Sequence, residues 1–162
     1  DDPAYIDAIA GSIKDGLAKL SFKPEVLVAT FHGMPQKYLE QGDPYYCQCQ
    51  KTSRLVRTAL GWPQDTWMTT FQSRFGNDPW LQPYTIEEVE RLAKSGVKRM
   101  AMVAPGFSAD CLETLEELDM ENRGVFMEHG GEAFAYIPCL NDSDAGVRVI
   151  EAVVRRELMG WV

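Results

Sequence analysis

Apolar positions along the chain follow two rhythms in turn, and their alternation predicts the fold class. Ile6, Ile9, Ile13 and Leu17 return every three to four residues, so 3–20 reads as a helix with one buried stripe. The run that follows, 25–31, holds Val26, Leu27 and Val28 in succession, the pattern of a strand covered on both faces. The exchange then repeats, with a helix over 45–60 stopped by Gly61 and Pro63, a strand over 66–71, a helix over 85–94 and a strand over 97–103. Thr85-Ile86-Glu87-Glu88 has the form of a capping box at the start of the 85–94 helix. A long helix over 109–128, interrupted near Asn122 and closed by Gly130-Gly131, leads to a strand over 133–137 and a last helix over 144–158. Strands alternating with helices form βαβ units. The expectation is one α/β domain over 1–162, Rossmann-like, with a four-stranded parallel sheet flanked by helices on both faces.

In such sheets ligands bind beyond the carboxyl ends of the strands. Order alone therefore nominates His32-Gly33, Gln72-Ser73-Arg74, 105–110 and 138–142. No glycine-rich phosphate fingerprint follows the first strand, which leaves a nucleotide- or flavin-binding module with little support.

Charge narrows the partners. A formal net charge of −8 argues against nucleic acid, whose backbone is bound through Lys and Arg, and makes a cation the more natural small partner. No apolar run approaches the roughly 20 residues that span a bilayer, and Asp1-Asp2-Pro3-Ala4-Tyr5 lacks the basic and apolar regions of a signal peptide. The four cysteines, Cys47, Cys49, Cys111 and Cys139, form no CxxC pair and read as reduced thiols of a cytoplasmic protein. Cys47-x-Cys49 is a weak metal signal, because structural sites use wider spacings.

Candidate chemistry sits where the strands end. His32, in Phe31-His32-Gly33-Met34-Pro35, either hydrogen-bonds its turn or offers an imidazole to a metal or a proton. His129, before Gly130-Gly131, reads as a helix-end cap. Glu113, Glu117 and Glu121 recur every four positions, with Asp110 a turn earlier, while Leu112, Leu115 and Leu118 are expected to point elsewhere. Like charges at that spacing cost about 0.2–0.5 kcal/mol per pair. The acidic file is either a solvated face or a row of oxygen donors able to pass a divalent cation, and spacing does not decide between them. In the loop after the second strand, Arg74 offers a partner for a carboxylate and Trp80 a face for a flat aromatic ligand.

Taken together, these stretches resemble ferrochelatase over essentially the whole chain. The matching segments are Phe31-His32-Gly33-Met34-Pro35 with Gly42-Asp43-Pro44-Tyr45, Phe71-Gln72-Ser73-Arg74 with Pro79-Trp80-Leu81 and Pro83-Tyr84-Thr85, Pro105-Gly106-Phe107 with Asp110-Cys111-Leu112-Glu113-Thr114-Leu115, and Tyr136-Ile137-Pro138-Cys139-Leu140-Asn141. The resemblance implies an enzyme of haem biosynthesis that inserts ferrous iron into a porphyrin, bound in a cleft between two similar α/β halves. It implies His32 and Glu113 as the catalytic pair and His32, Glu113, Glu117, Glu121 and Asp110 as the metal-handling set. Gln72, Ser73, Arg74 and Trp80 then fall on the porphyrin side. Cys111 stands where some members carry histidine, so that position is not a fixed ligand.

The resemblance covers only the C-terminal half of a protein about twice as long. The missing N-terminal half is therefore an implied partner that supplies the opposing wall of the cleft. Iron enters as a substrate, no tightly bound cofactor is expected, and Glu157-Leu158-Met159-Gly160-Trp161-Val162 offers no cysteines for the [2Fe–2S] cluster of some members. Porphyrins are poorly soluble, so peripheral contact with a membrane is an expectation that goes with the substrate. Two other readings stay open: a non-catalytic tetrapyrrole or metal carrier, and a cobalt or nickel chelatase.

Overall fold

The structure, a computed structural model, describes residues 1–161. Strands β1 (Val26–His32), β2 (Trp67–Gln72), β3 (Arg99–Val103) and β4 (Ala133–Tyr136) make one parallel sheet in the order β2-β1-β3-β4. The chain steps from β1 to one side for β2, then crosses to the other side for β3. That reversal beside β1 opens a crevice past the carboxyl ends of β1 and β3. The expected four-stranded parallel α/β fold is thus what the chain adopts.

Side chains of a strand alternate between faces, and the core follows that rule. Val26, Val28, Met100, Met102 and Phe134 face α4 (Thr85–Lys94) and α5 (Asn122–Glu128), packing with Val89, Leu92 and Phe126. Leu27, Ala29, Ala101 and Val103 face α1 (Pro3–Ala18) and α3 (Tyr45–Leu60), packing with Ile6, Ile9, Ile13 and Val56. Helix α6 (Asp144–Glu157) joins this second face through Ala145 and Val149. A third cluster of Phe31, Phe71, Cys49 and Leu81 sits at the carboxyl ends of β1 and β2 and forms the floor under the crevice. Among the described residues no helix is long and apolar enough to cross a membrane.

Several local expectations need correction. Thr85 does not cap its own helix. It is the first helical residue, and its buried hydroxyl contacts Thr30 (2.8 Å) and donates to Thr70 (2.9 Å), so tertiary bonds across the sheet have taken the capping oxygen. Periodicity also passed over α2 (Gln36–Glu40) and the 3₁₀ turn Gln64–Thr66, both too short to show a stripe. Cys47 is exposed and Cys49 buried, so the two thiols face apart and make no metal pair. His129 behaves as expected, with Nδ1 donating to the Val125 carbonyl (2.9 Å) at the end of α5. Gly131 closes the turn with its N–H on the Phe126 carbonyl (2.9 Å), and a Cβ there would lie 2.2 Å from the Phe126 ring.

The largest departure is the acidic helix. Residues 109–111 are not helical, and Glu113–Glu121 winds as a π-helix that runs directly into α5. The buried stripe explains the winding. Thr114, Leu118, Asn122 and Phe126 are all buried and recur every four residues, slower than the 3.6-residue turn of an α-helix. A wider π turn followed by α turns keeps that stripe on the sheet, and Asn122 Nδ2 bonds the Glu117 carbonyl (2.6 Å) where the two windings meet. The leucines consequently part company, Leu118 buried and Leu112 and Leu115 exposed.

Candidate functional site

His32 ends β1 paired with Gln72, and the Tyr45 phenol donates to its carbonyl oxygen (2.8 Å). Its ring Nδ1 lies 2.7 Å from the Gly33 carbonyl oxygen. A carbonyl can only accept, so Nδ1 is the donor of this contact and Nε2 is the ring nitrogen left free of the turn. The half-buried ring tilts against Trp80, with centroids 6.5 Å apart at 47°. Sequence left open whether His32 serves its turn or offers a free nitrogen, and here it does both.

Gly33 holds this arrangement tight. Its N–H donates to the Gln72 carbonyl (2.7 Å), and a Cβ would sit 2.8 Å from that oxygen and 3.0 Å from Trp80. Gly33→Ala is expected to force the ends of β1 and β2 apart, at a cost of about 1–3 kcal/mol. Thermal unfolding of the variant checks this, and an unchanged midpoint would contradict the close approach.

Gln72 connects the strand to the acidic helix. Buried, it accepts from Thr30 Oγ1 at Oε1 (3.2 Å) and donates through Nε2 to the Glu113 carbonyl (2.9 Å). Glu113 therefore starts its helix beside the end of β2. The neighbouring Cys111 thiol, then its own backbone N–H, hold its carboxyl below the usual range against some desolvation, with the His32 charge contributing. Glu113 is thus ionised at neutral pH.

One turn on, Ser73 Oγ donates to Glu117 Oε2 (2.5 Å) from a left-handed backbone (φ 62°) that a non-glycine residue rarely adopts. Arg74, expected to meet a carboxylate, instead lies over the Tyr84 ring, 5.0 Å from its centroid. Together Gln72, Ser73, Arg74, Tyr84, Glu117 and Glu121 line a pocket of about 240 Å³. Asn122 lines it too, and its buried Oδ1 has no donor, an acceptor that sequence reasoning missed. Its only sequence signal is a polar residue on the period-four buried stripe.

Asp110 does not join the other carboxylates. Its oxygens accept from Tyr136 Oη (2.8 Å), Asn141 Nδ2 (2.7 Å), Thr114 Oγ1 (3.1 Å) and the Cys139 N–H (3.3 Å). Burial raises its carboxyl, but those hydrogen bonds outweigh it and hold the group below the usual range. In the structure Asp110 ties the acidic helix to the loop after β4. The expected metal-handling residues do not close into a chelate: among the described residues no three of His, Cys, Asp and Glu converge to hold a metal. The larger concavity between α1 and α6, about 1080 Å³, takes Pro138 and Cys139 from the nominated strand ends but none of His32, the acidic file or the residues assigned to the porphyrin side.

Comparisons with known proteins agree on the family. The Ferrochelatase family model matches residues 1–158. A protein of Rhizobium meliloti (strain 1021) named Ferrochelatase is 62% identical over 100% of this chain and 48% of its own length. Its namesake in Rhizobium etli (strain CIAT 652) is 60% identical over 100% of this chain and 47% of its own length. The chain thus spans about half the length of the curated relatives it matches. Among solved structures, one titled SirB from Bacillus subtilis with Fe3+ superposes with a TM-score of 0.60 at 14% identity, covering 95% of this chain and 53% of that one, a likeness of fold alone.

Proposed function

The chain belongs to the ferrochelatase family, and from that premise we propose that it is the C-terminal half of an enzyme that inserts ferrous iron into a porphyrin, supplying the His32–Glu113 wall of the cleft. The observation that carries this reading is the free Nε2 of His32, fixed by its own turn at the end of β1, with an ionised Glu113 anchored through Gln72 at the paired end of β2.

The chemistry asks for such a pair. A free-base porphyrin must lose two N–H protons, and the iron must shed its waters. A flat macrocycle holds its lone pairs in its own plane, so binding it distorted makes them available. His32 Nε2 accepts a proton or touches the entering metal, and Glu113 takes part in proton removal or metal transfer. Glu117 and Glu121, beside the unpaired Asn122 oxygen, conduct the cation or the protons toward them. Gln72 positions Glu113, while Ser73, Arg74 and Trp80 face the porphyrin side. A site that passes its metal on needs no closed chelate. Iron is substrate in this reading, with no resident cofactor or cluster. The N-terminal half supplies the opposite wall, and the setting is cytoplasmic with peripheral membrane contact where the poorly soluble porphyrin is delivered.

Glu113→Gln is expected to slow insertion by at least about tenfold and Glu117→Gln by less, since only the first is anchored by Gln72, the strand partner of His32. Initial rates rank the two, and a larger loss at Glu117 would reverse the assignment. Metal choice tests the reaction itself. With protoporphyrin-type substrates and Fe²⁺, Co²⁺ or Ni²⁺ offered in competition, a full-length protein containing this chain is expected to load iron. Preference for cobalt or nickel with another tetrapyrrole would move the assignment to a sister chelatase.

A further inference from the structure

Thr30 interrupts the apolar run of β1. Val26 and Val28, on the same face of the strand, pack in the core, and the next position on that face carries a hydroxyl. Thr30 is 0% exposed, and Thr70, Thr85 and Gln72 around it are buried as well. Thr30 and Thr70 pair across β1 and β2, and Thr85 Oγ1 lies 2.8 Å from the Thr30 hydroxyl and 2.9 Å from that of Thr70. A valine would fill the same space with no polar group to satisfy, so a buried hydroxyl here calls for a partner that needs it.

That partner is Gln72. Thr30 Oγ1 donates to Gln72 Oε1 (3.2 Å), and the other end of the same planar amide, Nε2, donates to the Glu113 carbonyl (2.9 Å). Glu113 is the first residue of the π-helix, so this bond pins the start of the acidic helix to the end of β2. Thr30 also lies two residues before His32 on the same face of β1, and His32 pairs with Gln72 across the sheet. We propose, resting on the enzymatic reading above, that Thr30 is a positioning residue: through Gln72 it keeps Glu113 at the paired strand ends where His32 lies. Without the Thr30 hydroxyl, Oε1 becomes a buried acceptor that has lost its donor. Gln72 then turns to find another and lets go of the Glu113 carbonyl.

Thr30→Val, made in a full-length protein that contains this chain, keeps the shape of the side chain and deletes only the donor. It is expected to lower kcat for iron insertion roughly tenfold with KM for porphyrin and for Fe²⁺ unchanged, because alignment is lost rather than binding. Thr30→Ser returns the hydroxyl and should return kcat. Thr70→Val is the control. It removes an equally buried hydroxyl but leaves the Thr30 bond to Gln72, so its kcat should stay within about twofold of the parent's. Amide hydrogen exchange is read on the same samples, and 113–121 alone should exchange about tenfold faster in Thr30→Val than in the parent or in Thr70→Val. Unchanged exchange there, loosening of the whole sheet, an unchanged kcat in Thr30→Val or an equal loss in Thr70→Val overturns the proposal. A parent that inserts no iron, while Thr30→Val still loosens 113–121 alone, overturns the enzymatic reading and leaves Thr30 as the anchor of Glu113.

Discussion

His32→Ala in the full-length protein is expected to lower iron insertion by at least about a hundredfold, the range lost when a positioned acid–base group is removed. Its thermal unfolding should hardly move. What the strand needs from residue 32 is backbone: pairing with Gln72 and a carbonyl for the Tyr45 phenol, both kept by alanine. What the substitution deletes is the imidazole, whose Nδ1 contact with Gly33 serves only to aim Nε2 outward. Loss of that turn contact and of the tilted packing on Trp80 costs little, because the ring is only half-buried. Initial rates followed by porphyrin absorption, beside a thermal melt, separate the two effects. A near-normal rate would remove His32 from the mechanism, and a collapsed fold would make it structural.

Phe126→Ala should show the opposite profile. The ring is 0% exposed, packs against Phe134 with centroids 6.1 Å apart at 52°, and fills the space over Gly131. Truncating a fully buried phenylalanine costs about 3–5 kcal/mol in lost transfer energy and residual cavity. For a domain of this size that corresponds to a midpoint lowered by on the order of 10 °C. Phe126 is also the last residue of the period-four stripe that keeps the acidic helix on the sheet. The rate per folded molecule should stay within severalfold of normal, since Glu113 is anchored at the other end through Gln72. Calorimetry with an activity assay well below the midpoint checks both halves. A shift of only a degree or so would contradict the packing account of the π-helix.

Much of this was legible because the sheet is regular. Buried parallel strands write themselves as apolar runs, so the expected spans of β1 and β3 lie within about two residues of the observed ones, and strand order places His32 and Gln72 at the crevice. The acidic helix was harder. Its stripes recur every four residues, which an α-helical reading absorbs as slight drift, whereas the chain responds by changing its winding over Glu113–Glu121. The surroundings of Asp110 are hidden from sequence for a related reason. Sequence shows a carboxylate near other carboxylates, but not that Tyr136, Asn141, Thr114 and Cys139 arrive from other parts of the fold to occupy it. The unpaired Asn122 oxygen and the Tyr45 bond to the His32 carbonyl are likewise products of tertiary approach. No spacing rule reaches them.

The most direct measurement is anaerobic metal insertion, run side by side on this chain and on a full-length protein that contains it. Porphyrin and Fe²⁺ are mixed and the free-base absorption bands followed as they convert to the metallated pattern. The account predicts turnover by the longer protein and none by the isolated chain, whose cleft has one wall. A well-folded longer protein that binds porphyrin or iron stably and converts nothing would contradict it and make this chain half of a carrier.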